Sequence, residues 1–250
     1  MTNPGLFDYI ALAAILILPI VEWRWYGPRC LRGIRARVPG ARGRVYRAEV
    51  IALWVVTFCV MGLWIAKARP WGALRLGASS TLRLGGGLLG AAIIIALFVL
   101  QMQKVQKALV RPRAVASLRE KFAPLELVVP ATDGERRGFW LLSVTAGICE
   151  ELIYRGFVLW LITEWGGLIA GIIVSSAIFG LMHIYLGVAQ VPRTALMGLL
   201  FALIVVASGS LWPAMIIHAA IDLSSGEIGF RVGQAAASLP TPEAEPPLTS

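Results

Sequence analysis

Glu150 and Glu151 stand side by side in the run Gly147-Ile-Cys-Glu-Glu-Leu-Ile-Tyr-Arg155. Apolar residues flank the run, from Phe139 to Leu142 before it and from Phe157 to Ile162 after it. One charged side chain at the centre of a membrane helix is disfavoured by roughly 2.5–3.5 kcal/mol, so three together need compensation. Such a cluster ordinarily faces a bundle interior and marks a functional site. The chain has only two histidines, His183 and His218, and both also fall inside apolar runs. Carboxylates and imidazoles held away from water can pass protons, activate a water molecule or ligate a divalent metal.

Helical spacing sorts these residues. Glu151 and Arg155 are four apart, on one face, with the acid N-terminal as an ion pair favours; the pair is read as structural. Glu150 points about 100° away from Glu151, free of that pair. His218 and Asp222 also share a face. Phe179, one turn before His183, is read as packing against the imidazole. Counted at about 1.5 Å per residue from each cytoplasmic helix end, Glu150 lies about 18 Å deep and His218 about 12 Å, and His183 is expected to share their layer. A lone buried histidine is more often structural than catalytic, and Asp222 taken alone reads as a wet acid near a helix end. The group carries more weight, because four polar residues from three segments match in depth.

The elements that must position them follow from composition. Hydrophobic residues are 58% and charged residues 15% of 250, against about half and a quarter in soluble domains. Seven hydrophobic segments, roughly 6–22, 50–66, 85–102, 138–163, 167–187, 194–208 and 211–225, predict an all-α polytopic transmembrane helical bundle of about seven spans. Residues 23–48 carry eight arginines and residues 103–137 eight Lys or Arg. Two spans separate these loops, and the positive-inside rule puts both in the cytoplasm, with the N-terminus outside and the C-terminus inside. The Arg-, Ala- and Gly-rich, short-looped design suggests a bacterial inner membrane. Lys67, Arg69, Arg75 and Arg83 then fall on the opposite side, unless residues 67–84 form an interfacial element.

Residues 103–137 suit an amphipathic surface helix ending before Pro124 or Pro130. The organisation is a membrane region over 1–137 with three spans, a polar core over 138–225 with four helical segments, and a tail over 226–250. The Pro- and Glu-rich end from Ser238 is expected to be disordered. The N-terminus lacks the basic region and cleavage site of a removable signal peptide. Cys30, Cys59 and Cys149 have no metal-type spacing, and Cys149 is read as packing. The net charge of +9 sits in loops between apolar runs, which points to anionic lipid headgroups rather than nucleic acid.

Glu150-Glu151-x-x-x-Arg155, Phe179-x-x-x-His183 and His218-x-x-x-Asp222, in that order on separate segments, resemble the three motifs of the CPBP family. That family contains the CAAX prenyl endopeptidases and bacteriocin-processing proteins, and the resemblance covers about residues 138–225. It implies an intramembrane endopeptidase acting on a peptide or protein at the membrane, lipid-modified or not. Carried over, Glu150 is the general base and His183 helps bind the water. His218 and the residue at 222 stabilise the oxyanion, while Glu151 and Arg155 hold the polar groups of their helix. Many members have Asn at the last position; Asp222 cannot donate a hydrogen bond unless protonated, so here it is assigned to holding His218 in its charged form. The motifs fit a metal-free glutamate mechanism and also a Zn²⁺ site on Glu150, His183 and His218, with the metal-free version preferred. The same buried set also suits a proton- or ion-coupled transporter, although no inverted repeat accompanies it. A non-catalytic immunity or scaffold protein is the third reading.

Overall fold

The computed structural model describes residues 3–21, 24, 27–77 and 80–239. The stretch from 240 to 250, expected to be disordered, lies outside these residues. The described residues are all helix and turn, without a strand. The α-helices are α1 (Leu6–Val21), α2 (Gly27–Arg35), α3 (Ala41–Ala66), α4 (Thr81–Ala108), α5 (Pro112–Phe122), α6 (Asp133–Glu150), α7 (Leu159–Met182), α8 (Val191–Ser208) and α9 (Trp212–Ala237). A π-helical stretch, Glu151–Val158, joins α6 to α7. The all-α reading holds, and each of the seven hydrophobic segments falls largely in helix. The charged face of 103–137 splits between the end of α4 and the short α5, which ends before Pro124. At the other end, α9 runs on to Ala237, past the boundary at 225.

Four helical runs are long and apolar enough to cross a membrane by length and composition: 41–66, 81–108, 133–182 and 188–208. The third, 50 residues long, holds two of the seven segments. Within it Gly167 takes φ 77 and ψ 174, a conformation that a β-carbon disfavours. A Cβ on Gly171 would lie 2.9 Å from the Leu159 carbonyl. Residues 12 apart on a straight helix are about 18 Å apart, so the chain has turned back on itself at Gly167.

Small residues set how closely the helices approach. A Cβ on Gly147 of α6 would fall 2.8 Å from Ala219 Cβ and 2.9 Å from the Met215 carbonyl of α9. One on Gly180 of α7 would meet Ala195 of α8 at 2.6 Å. Where lipid is as apolar as the side chains, such backbone approach supplies the packing that hydrophobic burial cannot. The N-terminus of α6 is fixed separately: Thr132 Oγ1 accepts from the Glu135 amide, and Glu135 accepts from the Ala131 amide. This is a variant of the capping box.

Three basic residues of the 67–84 stretch have internal partners. Asp8 of α1, fully buried, accepts two bonds from Arg69 (2.7 and 2.6 Å) and one from Lys67 (3.0 Å). The Arg69 guanidinium also lies 4.4 Å from the Trp160 ring and 5.1 Å from that of Trp64. Arg83 donates to the carbonyls of Val206 and Ala207 at the end of α8, where a cation complements the helix dipole. A 3₁₀ turn, Trp71–Leu74, drives Leu74 fully into the core against Gly156. Trp71 and Leu82 stay at the surface. Three of the four cations, Lys67, Arg69 and Arg83, thus neutralise a buried carboxylate or cap a helix.

Gly147→Val should lower stability by about 1–3 kcal/mol, because α6 and α9 must separate to admit the side chain. Gly90→Ala, where a Cβ meets nothing within 4 Å, should change it little. Unfolding in detergent compares the two, and equal effects would disprove the close-approach account.

Candidate active site

The first polar group is delivered by the junction of α6 with the π-helical stretch. Wider i→i+5 turns of this kind recur at functional sites, and all eight residues from Glu151 to Val158 are buried. The neighbouring carboxylates diverge there, as helical geometry requires. Glu151 is fully enclosed, whereas the Glu150 side chain keeps 16% exposure.

Glu151 Oε1 accepts a hydrogen bond from Arg155 Nη1 at 3.0 Å and another from His218 Nδ1 at 2.8 Å. The Arg155 guanidinium is fully buried, with its carbon 4.0 Å from the Phe179 ring and 5.3 Å from that of Phe201. Gly198 of α8 leaves room for it: a Cβ there would sit 3.1 Å from Nη2. The expected Glu151–Arg155 pair is therefore present, with a second duty for Glu151 on α9. The expected pairing of Asp222 with His218 is present, and Glu151 adds to it. Asp222 Oδ2 stands 3.7 Å from Nε2, while the hydrogen bond that orients the ring is the one Nδ1 donates to Glu151.

His183 closes the C-terminus of α7, its amide bonded to the Gly180 carbonyl. Its Nδ1–H donates to the Phe179 carbonyl at 2.8 Å, since a carbonyl oxygen can only accept. The neutral ring therefore presents the Nε2 lone pair. Phe179 packs on both imidazoles, with centroids 4.7 Å from His183 and 5.9 Å from His218. Phe201 of α8 lies nearly parallel to His218, 4.9 Å away.

Glu150 Oε2 is buried, has no hydrogen-bond partner, and faces both rings: 4.0 Å to His183 Nε2 and 3.9 Å to His218 Nε2. The structure thus brings Glu150, His183, His218 and Asp222 together, with Glu151, Arg155 and Phe179 behind them. The sequence predicts an end to the His218 helix at 225. Since α9 ends at Ala237 instead, the meeting of these groups rests on the contacts and not on depth counted from that end. Phe201, Gly147 and Gly198 were missed by the sequence reading. The signal for the glycines was small residues inside apolar helices; nothing marked Phe201 out from other apolar residues.

Donor types at this cluster also suit zinc. Each imidazole has Nδ1 tied to an oxygen and Nε2 free, the usual arrangement of a metal-binding histidine. Glu150, His183 and His218 would hold the ion, which when bound would supply Lewis-acid polarisation of water and carbonyl. Ligand atoms around tetrahedral zinc at ~2.0–2.1 Å lie about 3.4 Å apart, so the observed separations would have to contract by about half an ångström. Among the described residues no group of His, Cys, Asp or Glu stands at metal-binding spacing. An oxygen about 2.8 Å from two atoms at these separations subtends roughly 90°, so a water molecule fits without rearrangement.

Glu151→Ala should destabilise the protein by about 3–5 kcal/mol, because it strands a buried guanidinium. Arg231→Ala, which removes a partly exposed partner of Glu227, should cost about 1 kcal/mol or less. Chemical unfolding in detergent measures both, and equal losses would refute the buried-pair argument.

Comparison with known proteins gives a likeness over the part of the chain that holds this cluster. Residues 136–224 match the family model described as type II CAAX prenyl endopeptidase Rce1-like. The match spans the polar core and includes Glu150, Glu151, Arg155, Phe179, His183, His218 and Asp222. No curated protein and no solved structure matches the chain.

Proposed function

We propose, from the match of residues 136–224 to the Rce1-like CAAX endopeptidase model and from the site's geometry, that this protein is an intramembrane endopeptidase using a water activated by Glu150. The observation that carries the reading is the buried, unpartnered Glu150 Oε2, facing two Nε2 atoms at 3.9 and 4.0 Å. A water in that gap donates one hydrogen to Glu150 and the other to the His183 lone pair. Its own lone pair is left to attack a peptide carbonyl.

As the C–O bond forms, the water proton passes to Glu150 and negative charge gathers on the carbonyl oxygen. His218, in its imidazolium form, donates Nδ1–H to Glu151 and Nε2–H to that oxyanion, the pre-aimed stabilisation such intermediates need. Asp222, 36% exposed, stands beside His218 on the open side of the cluster. Glu150 then returns its proton to the leaving nitrogen, the C–N bond breaks, and a carboxylic acid and an amine are released. The substrate class is a membrane-associated peptide or protein, consistent with the catalytic groups lying within apolar helices.

Glu150→Gln keeps the shape but cannot take a proton. It should lower kcat by at least about 100-fold on a prenylated, fluorescence-quenched peptide with purified protein; equal activity would eliminate Glu150 as the base. Metal analysis of the same active preparation tests the mechanism. Full activity without stoichiometric zinc is expected, and loss of activity on zinc removal with recovery on zinc addition would replace it with the metal version.

The proposed location is a bacterial inner membrane with the N-terminus outside and the C-terminus in the cytoplasm, because the arginine-rich loops belong on the inner side. Green fluorescent protein fused to the C-terminus should fluoresce, and alkaline phosphatase fused there should stay inactive. The reverse pattern would overturn the orientation.

A further inference from the structure

The ends of three long helices meet at one pole of the molecule: α3 and α6 begin there, and α9 finishes there. Between them opens a cavity of about 1200 Å³, bordered by Arg35, Arg37, Arg42, Arg47 and Arg119. Arg42 is engaged, donating to the Glu126 carbonyl at 3.0 Å and lying 3.7 Å from Glu135. The other four arginines are exposed and, among the described residues, hold no carboxylate. Only Glu126 and Glu135 among the lining residues are acidic, so five guanidiniums face two carboxylates, an excess of three positive charges. The N-termini of α3 and α6, at Gly40–Ala41 and Thr132–Gly134, also line the cavity. Their dipoles favour an anion further.

The remaining wall is apolar, including Ile34, Val38, Phe122, Phe230 and Val232. A small soluble anion has no use for such a wall, but an amphiphile does. The pole is where apolar helices give way to arginine-rich turns, which is headgroup level for a membrane protein. It is also remote from the catalytic cluster, since Glu150 lies 17 residues from the start of α6, about 25 Å along its axis.

We infer that this cavity binds an anionic phospholipid. The arginines and helix N-termini take the phosphate headgroup, and the wall of Ile34, Val38 and Phe122 takes the first part of the acyl chains. The inference depends on the membrane reading of the helices and not on the peptidase mechanism.

The test uses the full chain in a neutral detergent, titrated with short-chain phosphatidylglycerol, short-chain phosphatidylcholine or inorganic phosphate. Phosphatidylglycerol should bind at least about tenfold more tightly than phosphatidylcholine, and added salt should erode the difference. The combined substitution R35Q/R37Q/R47Q/R119Q touches only exposed side chains and should abolish the preference without changing the unfolding temperature. Equal binding of the two lipids, or a preference that survives the substitutions, would overturn the assignment. Inorganic phosphate binding as tightly as phosphatidylglycerol would make this a soluble-anion site instead. Displacement of the lipid by an acidic peptide at equal concentration would reassign the cavity to a protein partner.

Discussion

One carboxylate oxygen, Glu151 Oε1, receives both the Arg155 guanidinium and the His218 imidazole. No exposed side chain takes part on the Glu151–Arg155 side, so neither charge can find water if the other is lost. A buried ion pair gains little over an apolar core, yet half of one is strongly unfavourable. The constraint therefore acts through geometry. It joins the π-helical stretch to α9, across 67 residues of sequence, and fixes which way the His218 ring faces. With Nδ1 committed to Glu151, Nε2 points toward Glu150. Glu150 lies on the next helical face and receives no such bond. One carboxylate holds the framework, and its neighbour is left unsatisfied within it.

The surrounding packing serves that arrangement. Gly147 lets α9 approach α6 one turn before the two glutamates, and Gly198 leaves space for the Arg155 guanidinium. Phe179 and Phe201 cover both the guanidinium and His218, so aromatic faces take the place that water would occupy. Farther out, Asp8 and Arg69 repeat the same economy: a buried acid, a bidentate arginine and two tryptophan rings pin α1 beside α3 and α7. These cations looked anomalous as loop charges, and their partners give them a structural role independent of the charge rule.

Much of this was legible in the residues alone. Long apolar runs can satisfy their backbone in a bilayer only as helices, so the class of fold and the place of most helices followed. The opposed directions of Glu150 and Glu151 followed from about 100° of rotation per residue. Their association with His183, His218 and Asp222 was inferred from matching depth and from motif order. The reversal at Gly167 was legible only as a gap between two apolar runs. The π-helical stretch had no counterpart in composition or periodicity, because its hydrogen bonds are selected by what packs around it.

The sequence by itself determined the helices, the charged residues kept within them and the spacing that sends neighbouring carboxylates to different faces. These are local consequences of the helical repeat and of the cost of burying charge. Tertiary structure alone decided that Glu151 makes the hydrogen bond that orients His218, that Phe201 covers its ring, and that five arginines from α2, α3, α5 and the turn between α2 and α3 gather around one cavity. Each depends on distances between segments far apart in the chain. Those distances are set by how closely particular glycines let the helices approach, which no reading along a single helix can supply.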